Sequence, residues 1–188
     1  MSIREGAVSA HRVGSRPLRC APSLRQWPFV ACAVLLSSFV HAGDLPDPYL
    51  TPGTINPAVT QENIDQTVCA KGYTKTIRPP ANYTNSLKKK QILQYRYADT
   101  NLHDYEEDHL IALSIGGAPW DPHNLWPEPR HSEWGADKKD QLEFVMYKMV
   151  CARQISLIDA QRAMASDWIA TWNNYVRGRH GIRFRKID

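Results

Sequence analysis

The chain has 188 residues, 43% of them hydrophobic and 22% charged, with a formal net charge of +4. That composition is too apolar for a disordered tail, and the length suits one domain with a buried core. Five arginines and one glutamate within residues 1–42 account for the whole positive excess, so residues 43–188 are neutral overall. A globally basic, nucleic-acid-gripping surface is thereby excluded, and any such field must come from local clusters.

Residues 1–42 read as a cleaved signal peptide. Arg4, Arg12, Arg16, Arg19 and Arg25 form a basic lead, and Phe29 to Val40 is an apolar stretch of 12 residues. A membrane-spanning helix needs roughly 20. Val40-His41-Ala42 supplies small residues where a signal peptidase reads, with cleavage expected before Gly43. The expectation is an exported protein, secreted or periplasmic, monomeric and without stable membrane association once the leader is removed.

Residues 43–57, with prolines at 46, 48, 52 and 57, read as an extended, poorly ordered lead-in, and residues 58–188 as a single domain. Thr60 begins a short helix running towards Cys69. Lys71 to Ile77 alternates enough to suggest a strand, stopped by Arg78-Pro79-Pro80. Asn85 to Tyr97 suggests a helix with Leu87, Ile92, Leu93 and Tyr95 on its apolar face. Lys88-Lys89-Lys90 reads as solvated surface charge.

The stretch from Tyr105 to Asn124 is the chemical centre of the sequence. Glu107, Asp108 and His109 lead into the apolar run Leu110 to Leu113. Gly116-Gly117 follows, then Asn124-Leu125-Trp126. An apolar run, a Gly-rich connection and a second apolar run indicate a β-hairpin with a long loop. On a regular strand Asp108 and His109 point to opposite faces, so a shared site needs a bulge, a twist or a strand end there. Glu106 reads as solvent-facing. Trp120, Trp126 and Trp134 read as packing around the hairpin.

The last third is helical. From Asp137 onward, Leu142, Val145, Met146, Met149 and Val150 share one stripe. Ser156 with Asp159 marks an N-cap, and Leu157 to Val176 continues as a long helix anchored by Trp168, Trp172 and Tyr175. The tail, with Arg177, Arg179, Arg183, Arg185 and Lys186, is a candidate phosphate-contacting cluster. Cys69 and Cys151 remain after leader removal and are expected to form a disulfide rather than a metal site, since no CxxC spacing is present.

The order strand, loop, strand, helix, with Asp108-His109, Gly116-Gly117 and Asn124-Leu125, resembles the HNH endonucleases of the ββα-metal group. The flanks resemble a family of small secreted bacterial HNH-type proteins, through Asn56-Pro57, Thr67-Val68-Cys69, Ile77-Arg78-Pro79-Pro80, and Lys139, Asp140 and Glu143 in the following helix. The resemblance implies an α+β, mostly helical fold: an HNH-like hairpin and helix with additional N- and C-terminal helices. It implies hydrolysis of phosphodiester bonds in nucleic acid, DNA ahead of RNA. His109 would be the general base, Asp108 a metal ligand, and Asn124 the residue that steadies the base and its loop. The cofactor implied is one divalent ion, Mg²⁺ first, with Zn²⁺ or Mn²⁺ as alternatives.

Many family members supply a histidine ligand from the helix, and this chain departs from that pattern. His131 falls on the stripe side if the helix begins near Pro129, and is favoured over Asp137, which lies on a solvent side. Lys139, Arg177 and Arg179 are the candidate substrate contacts. The rival expectation is a catalytically inactive nucleic-acid-binding or metal-binding envelope protein on the same scaffold.

Overall fold

The charged segment Tyr105–His109 forms the first strand, β1, and Leu125–Pro129 pairs with it antiparallel as β2. A computed structural model describes residues 43–177, and residues 1–42 and 178–188 lie outside them. Among the described residues, four helices surround this two-stranded sheet: α1 (Tyr73–Ile77), α2 (Ala81–Gln94), α3 (Ala136–Cys151) and α4 (Leu157–Tyr175). The fold is α+β. Among the described residues no helix is long and apolar enough to cross a membrane.

The apolar run expected to be a strand lies just beyond β1. Leu110, Ile111, Ala112, Leu113 and Ile115 are all buried, and Leu113–Ile115 is one turn of 3₁₀ helix. This loop enters the core because its backbone groups find partners without a strand beside them. Leu110 N donates to Asn124 O at 2.8 Å, Gly117 N to Ala112 O at 3.0 Å, and Ala118 N to Thr54 O at 2.9 Å. Gly117 has to be glycine, because a Cβ there would lie 1.7 Å from Ile111 O.

Two further expectations need correcting. Lys71 to Ile77 is not a strand: Gly72, at φ +83°, turns the chain into the helical turn α1, and no neighbouring strand is there to pair with it. Residues 43–57 are not a loose lead-in either. Gly53 N donates to His123 O, Asn56 N donates to Gly116 O, and the Thr51 hydroxyl donates to Leu125 O. The segment runs along the hairpin loop and covers it.

Helix α2 begins four residues before its expected start, directly after Pro80, and its buried face is mainly polar. Lys88 Nζ donates to the carbonyls of Leu102 and Tyr105, each at 2.9 Å, and Gln91 Nε2 to those of Pro122 and Leu125. Leu93, assigned to an apolar face, is 70% exposed. The helix docks on the hairpin through hydrogen bonds to backbone, so its hydrophobic periodicity is weak.

Helices α3 and α4 carry the apolar core. Leu142, Val145, Met146 and Val150 meet Leu157, Ala160, Met164 and Trp168, together with Ile64, Val68 and the hairpin loop. The Ser156 hydroxyl accepts from Asp159 N and caps α4. The helix kinks at Asp167, whose carboxylate then accepts from Ala170 N. Cys69 and Cys151 form a disulfide that ties the segment before α1 to the end of α3 across 82 positions. Closing so long a loop removes entropy from the unfolded chain. Replacing both cysteines by serine is expected to lower unfolding free energy by about 4 kcal/mol, read from urea denaturation, with a steeper slope because the open unfolded chain exposes more surface.

Candidate active site

Strand alternation sorts the residues of β1 onto two sides. Asp108 reaches α3, where its Oδ2 pairs with the ammonium of Lys139. Lys139 is 0% exposed; it also pairs with Glu143 and donates to His109 O at 2.8 Å. Burial disfavours its charge, but Asp108, Glu143 and Glu128 outweigh that and hold the proton firmly. Three carboxyl groups surround one ammonium, and burial pushes two of them upward: Glu143 to about 8, and Glu128 well above the usual carboxylate range. Lys139, expected at a substrate surface, is instead the central cation of the interior. Its four-carbon stem, rising from the same side of α3 as Leu142, carries the charge inward.

His109 ends β1 and is 4% exposed, lining a cleft of about 290 Å³ between the start of α2 and the hairpin. Its Nε2 lies 3.0 Å from Pro119 O. A carbonyl oxygen only accepts, so in the neutral ring Nε2 carries the proton and Nδ1 holds the lone pair. Burial lowers the imidazole pKa, against opposing effects of Asp108 and of the Pro119 carbonyl. Burial thus favours the neutral ring.

Asn124, fully buried, fixes the loop that carries Pro119. Its Oδ1 accepts from Ile111 N at 3.0 Å, and its Nδ2 donates to Ile111 O at 3.0 Å and to Ala118 O at 3.1 Å. The amide is one residue removed from the carbonyl that orients His109.

The cleft also holds residues that were not assigned to the site from sequence. Arg78, Lys88 and Arg130 line it, with Glu106 and Glu107. Arg130 pairs with Glu106 at 2.8 Å. Both oxygens of Glu107 are buried without a hydrogen-bond partner, and burial pushes its pKa up to about 9, with Lys88 opposing and Asp108 adding. Period two along β1 places Glu107 on the side of His109, which was a signal within reach. Lys88, read as solvated, is buried by its two carbonyl partners. Arg78 had been read as part of a stop signal and of the flanking resemblance, with no role in a site.

The remaining assigned residues do not join the site. His131 is exposed beside Asp99, Asp104, Tyr105 and Pro129, at the end of the hairpin opposite His109. Helix α3 starts at Ala136, not near Pro129, so the phase that would have carried His131 inward never operates. Asp137 is exposed in the first turn of α3. Arg177 is exposed after α4, and Arg179 lies outside the described residues. Asp108, His131 and Asp137 therefore do not converge on a divalent ion. Among the described residues no group of three His, Cys, Asp or Glu side chains could hold one.

Neither a family model, nor a curated protein, nor a solved structure matches this chain.

Two stability predictions follow from the buried charges. Lys139→Met leaves Asp108, Glu128 and Glu143 without their cation and is expected to cost about 3–5 kcal/mol in chemical denaturation. For Glu107, below pH 4.5 folded and unfolded chains both hold the proton; between 4.5 and about 9 only the folded chain does, so this group's contribution is lost as pH rises. Glu107→Gln is expected to gain on wild type at pH 8 by on the order of 1 kcal/mol or more, and to match it at pH 4, read from thermal melts.

Proposed function

We propose that the protein is an exported hydrolase of phosphodiester bonds in nucleic acid, with His109 as the general base. The observation that supports this best is the imidazole on the floor of a cleft lined by Arg78, Lys88 and Arg130. Its proton-bearing Nε2 is engaged by Pro119 O and its Nδ1 carries the lone pair. A base and a group of cations are what phosphoryl transfer from water requires. Nδ1 takes a proton from water, the resulting hydroxide attacks phosphorus, and the bond to the leaving oxygen breaks. The guanidinium and ammonium groups meet the charge that develops on the phosphoryl oxygens. Glu107, facing the same cleft with no partner, is the group placed to return a proton to the leaving oxygen. The HNH resemblance supports the same reaction class. The divalent ion it implies has no ligand set in Asp108, His131 and Asp137, and none of these steps runs through an ion.

One observation favours a second reading, a binding protein without turnover: the carboxylate of Asp108 is engaged by Lys139. A nicking assay on supercoiled plasmid, and its counterpart on RNA, separates the two. Wild type and His109→Ala are compared in Mg²⁺, Mn²⁺, Zn²⁺ and EDTA. Loss of a general base is expected to slow cleavage by about 100-fold or more. Equal cleavage by both proteins would remove His109 from the chemistry, and no cleavage by wild type under any condition favours the binding protein.

A further inference from the structure

Beside the cleft stands an indole that the fold does not bury. Trp120 is 50% exposed, whereas Trp126 and Trp168 are fully enclosed. It follows directly on Pro119, the residue whose carbonyl holds His109. It is also held rigidly. The Tyr83 hydroxyl donates to Trp120 O at 2.6 Å, and the two rings meet edge to face with centroids 5.0 Å apart. Tyr83 stands in the first turn of α2, between Ala81 and Thr84, both of which line the cleft. A half-exposed aromatic pair thus adjoins a cleft containing three cations and the candidate base. The expectation that Trp120 packs around the hairpin does not describe this position.

We infer that Trp120, braced by Tyr83, is a stacking platform for an unpaired base, and that the cleft therefore takes single-stranded nucleic acid in preference to a duplex. The inference rests on the nucleic-acid reading above and names the form of the substrate. Charge complementarity selects the occupant: Arg78, Lys88 and Arg130 suit a phosphate, and the neighbouring indole suits the base attached to it. A base in a duplex has both faces covered by its neighbours and must leave the stack to reach an exposed ring. A single strand offers that face freely, and stacking tolerates any sequence because every base has a π-face. Prearrangement by Tyr83 lowers the ordering cost that a mobile surface indole would incur.

The test is fluorescence anisotropy of the mature chain in EDTA with labelled probes of roughly 12 nucleotides: oligo(dT), oligo(U), a duplex, and a strand of abasic sugars. Wild type is expected to bind both base-bearing single strands more tightly than the duplex or the abasic strand. Trp120→Ala is expected to weaken single-strand binding by about fivefold or more while leaving duplex binding within about twofold, and Trp120→Phe to retain most of the affinity. The inference is overturned if Trp120→Ala binds single strands as wild type does, or loses strand and duplex alike, or if wild type favours the duplex. Should wild type bind none of the probes, the nucleic-acid reading falls with it; binding that ignores Trp120 overturns this inference alone.

Discussion

An ammonium group sealed inside the protein sets the frame. Lys139 Nζ touches a carboxylate from β1, a carboxylate from its own helix and the carbonyl of His109, so one point of charge joins the sheet to α3. Placing that charge indoors is unfavourable unless its partners are well made, and here the acids outnumber it. Burial pushes the pKa of Glu128 and Glu143 upward, which eases the excess of negative charge around the ammonium. A hydrophobic side chain at this position could fill the space but could not hold Asp108 and His109 O together. The C-terminal end of β1 would then lose its polar tie to α3.

Around that centre, the orientation of His109 is passed along backbone rather than side chains. Asn124 clamps both ends of the loop that begins at Ile111 and closes at Ala118. Pro119 comes next, and its carbonyl sets which ring nitrogen keeps a proton. The close approach at Gly117 permits the loop to turn back on Ile111. A glycine, an amide and a carbonyl, none of them able to act as acid or base, thus decide the face that the imidazole presents.

The parts of the fold that were legible in the sequence are those governed by apolar periodicity and capping. The α3 stripe and the Ser156 cap are local signals, and the structure has both helices within a residue or so of the expected bounds. The cysteine pair was legible because residues 43–188 contain just two. What escaped was polar and non-local. Helix α2 docks by Lys88 and Gln91 reaching carbonyls 14 to 34 positions away, which leaves no hydrophobic pattern to read. The first strand ends at His109 and does not run on into residues 110–113, and Glu107 and His109 are covered by α2 and the loop. For the candidate site, His109 and Asn124 stood out through the HNH resemblance. Arg78, Lys88 and Arg130 are brought together only by the docking of α2; His131 was chosen on a helix phase that starts too early, and Asp137 is exposed on the solvent side, as its phase indicated.

The bridge between Cys69 and Cys151 has a further consequence. It makes a covalent ring of everything from the segment before α1 to the last turn of α3, so the hairpin, its loop, the cleft and the buried lysine all lie on that ring. Helix α4 is outside it. A protease that nicks one exposed turn within the ring opens a circle and does not divide the molecule: the severed ends stay attached through sulfur, and the non-covalent core can keep them in register.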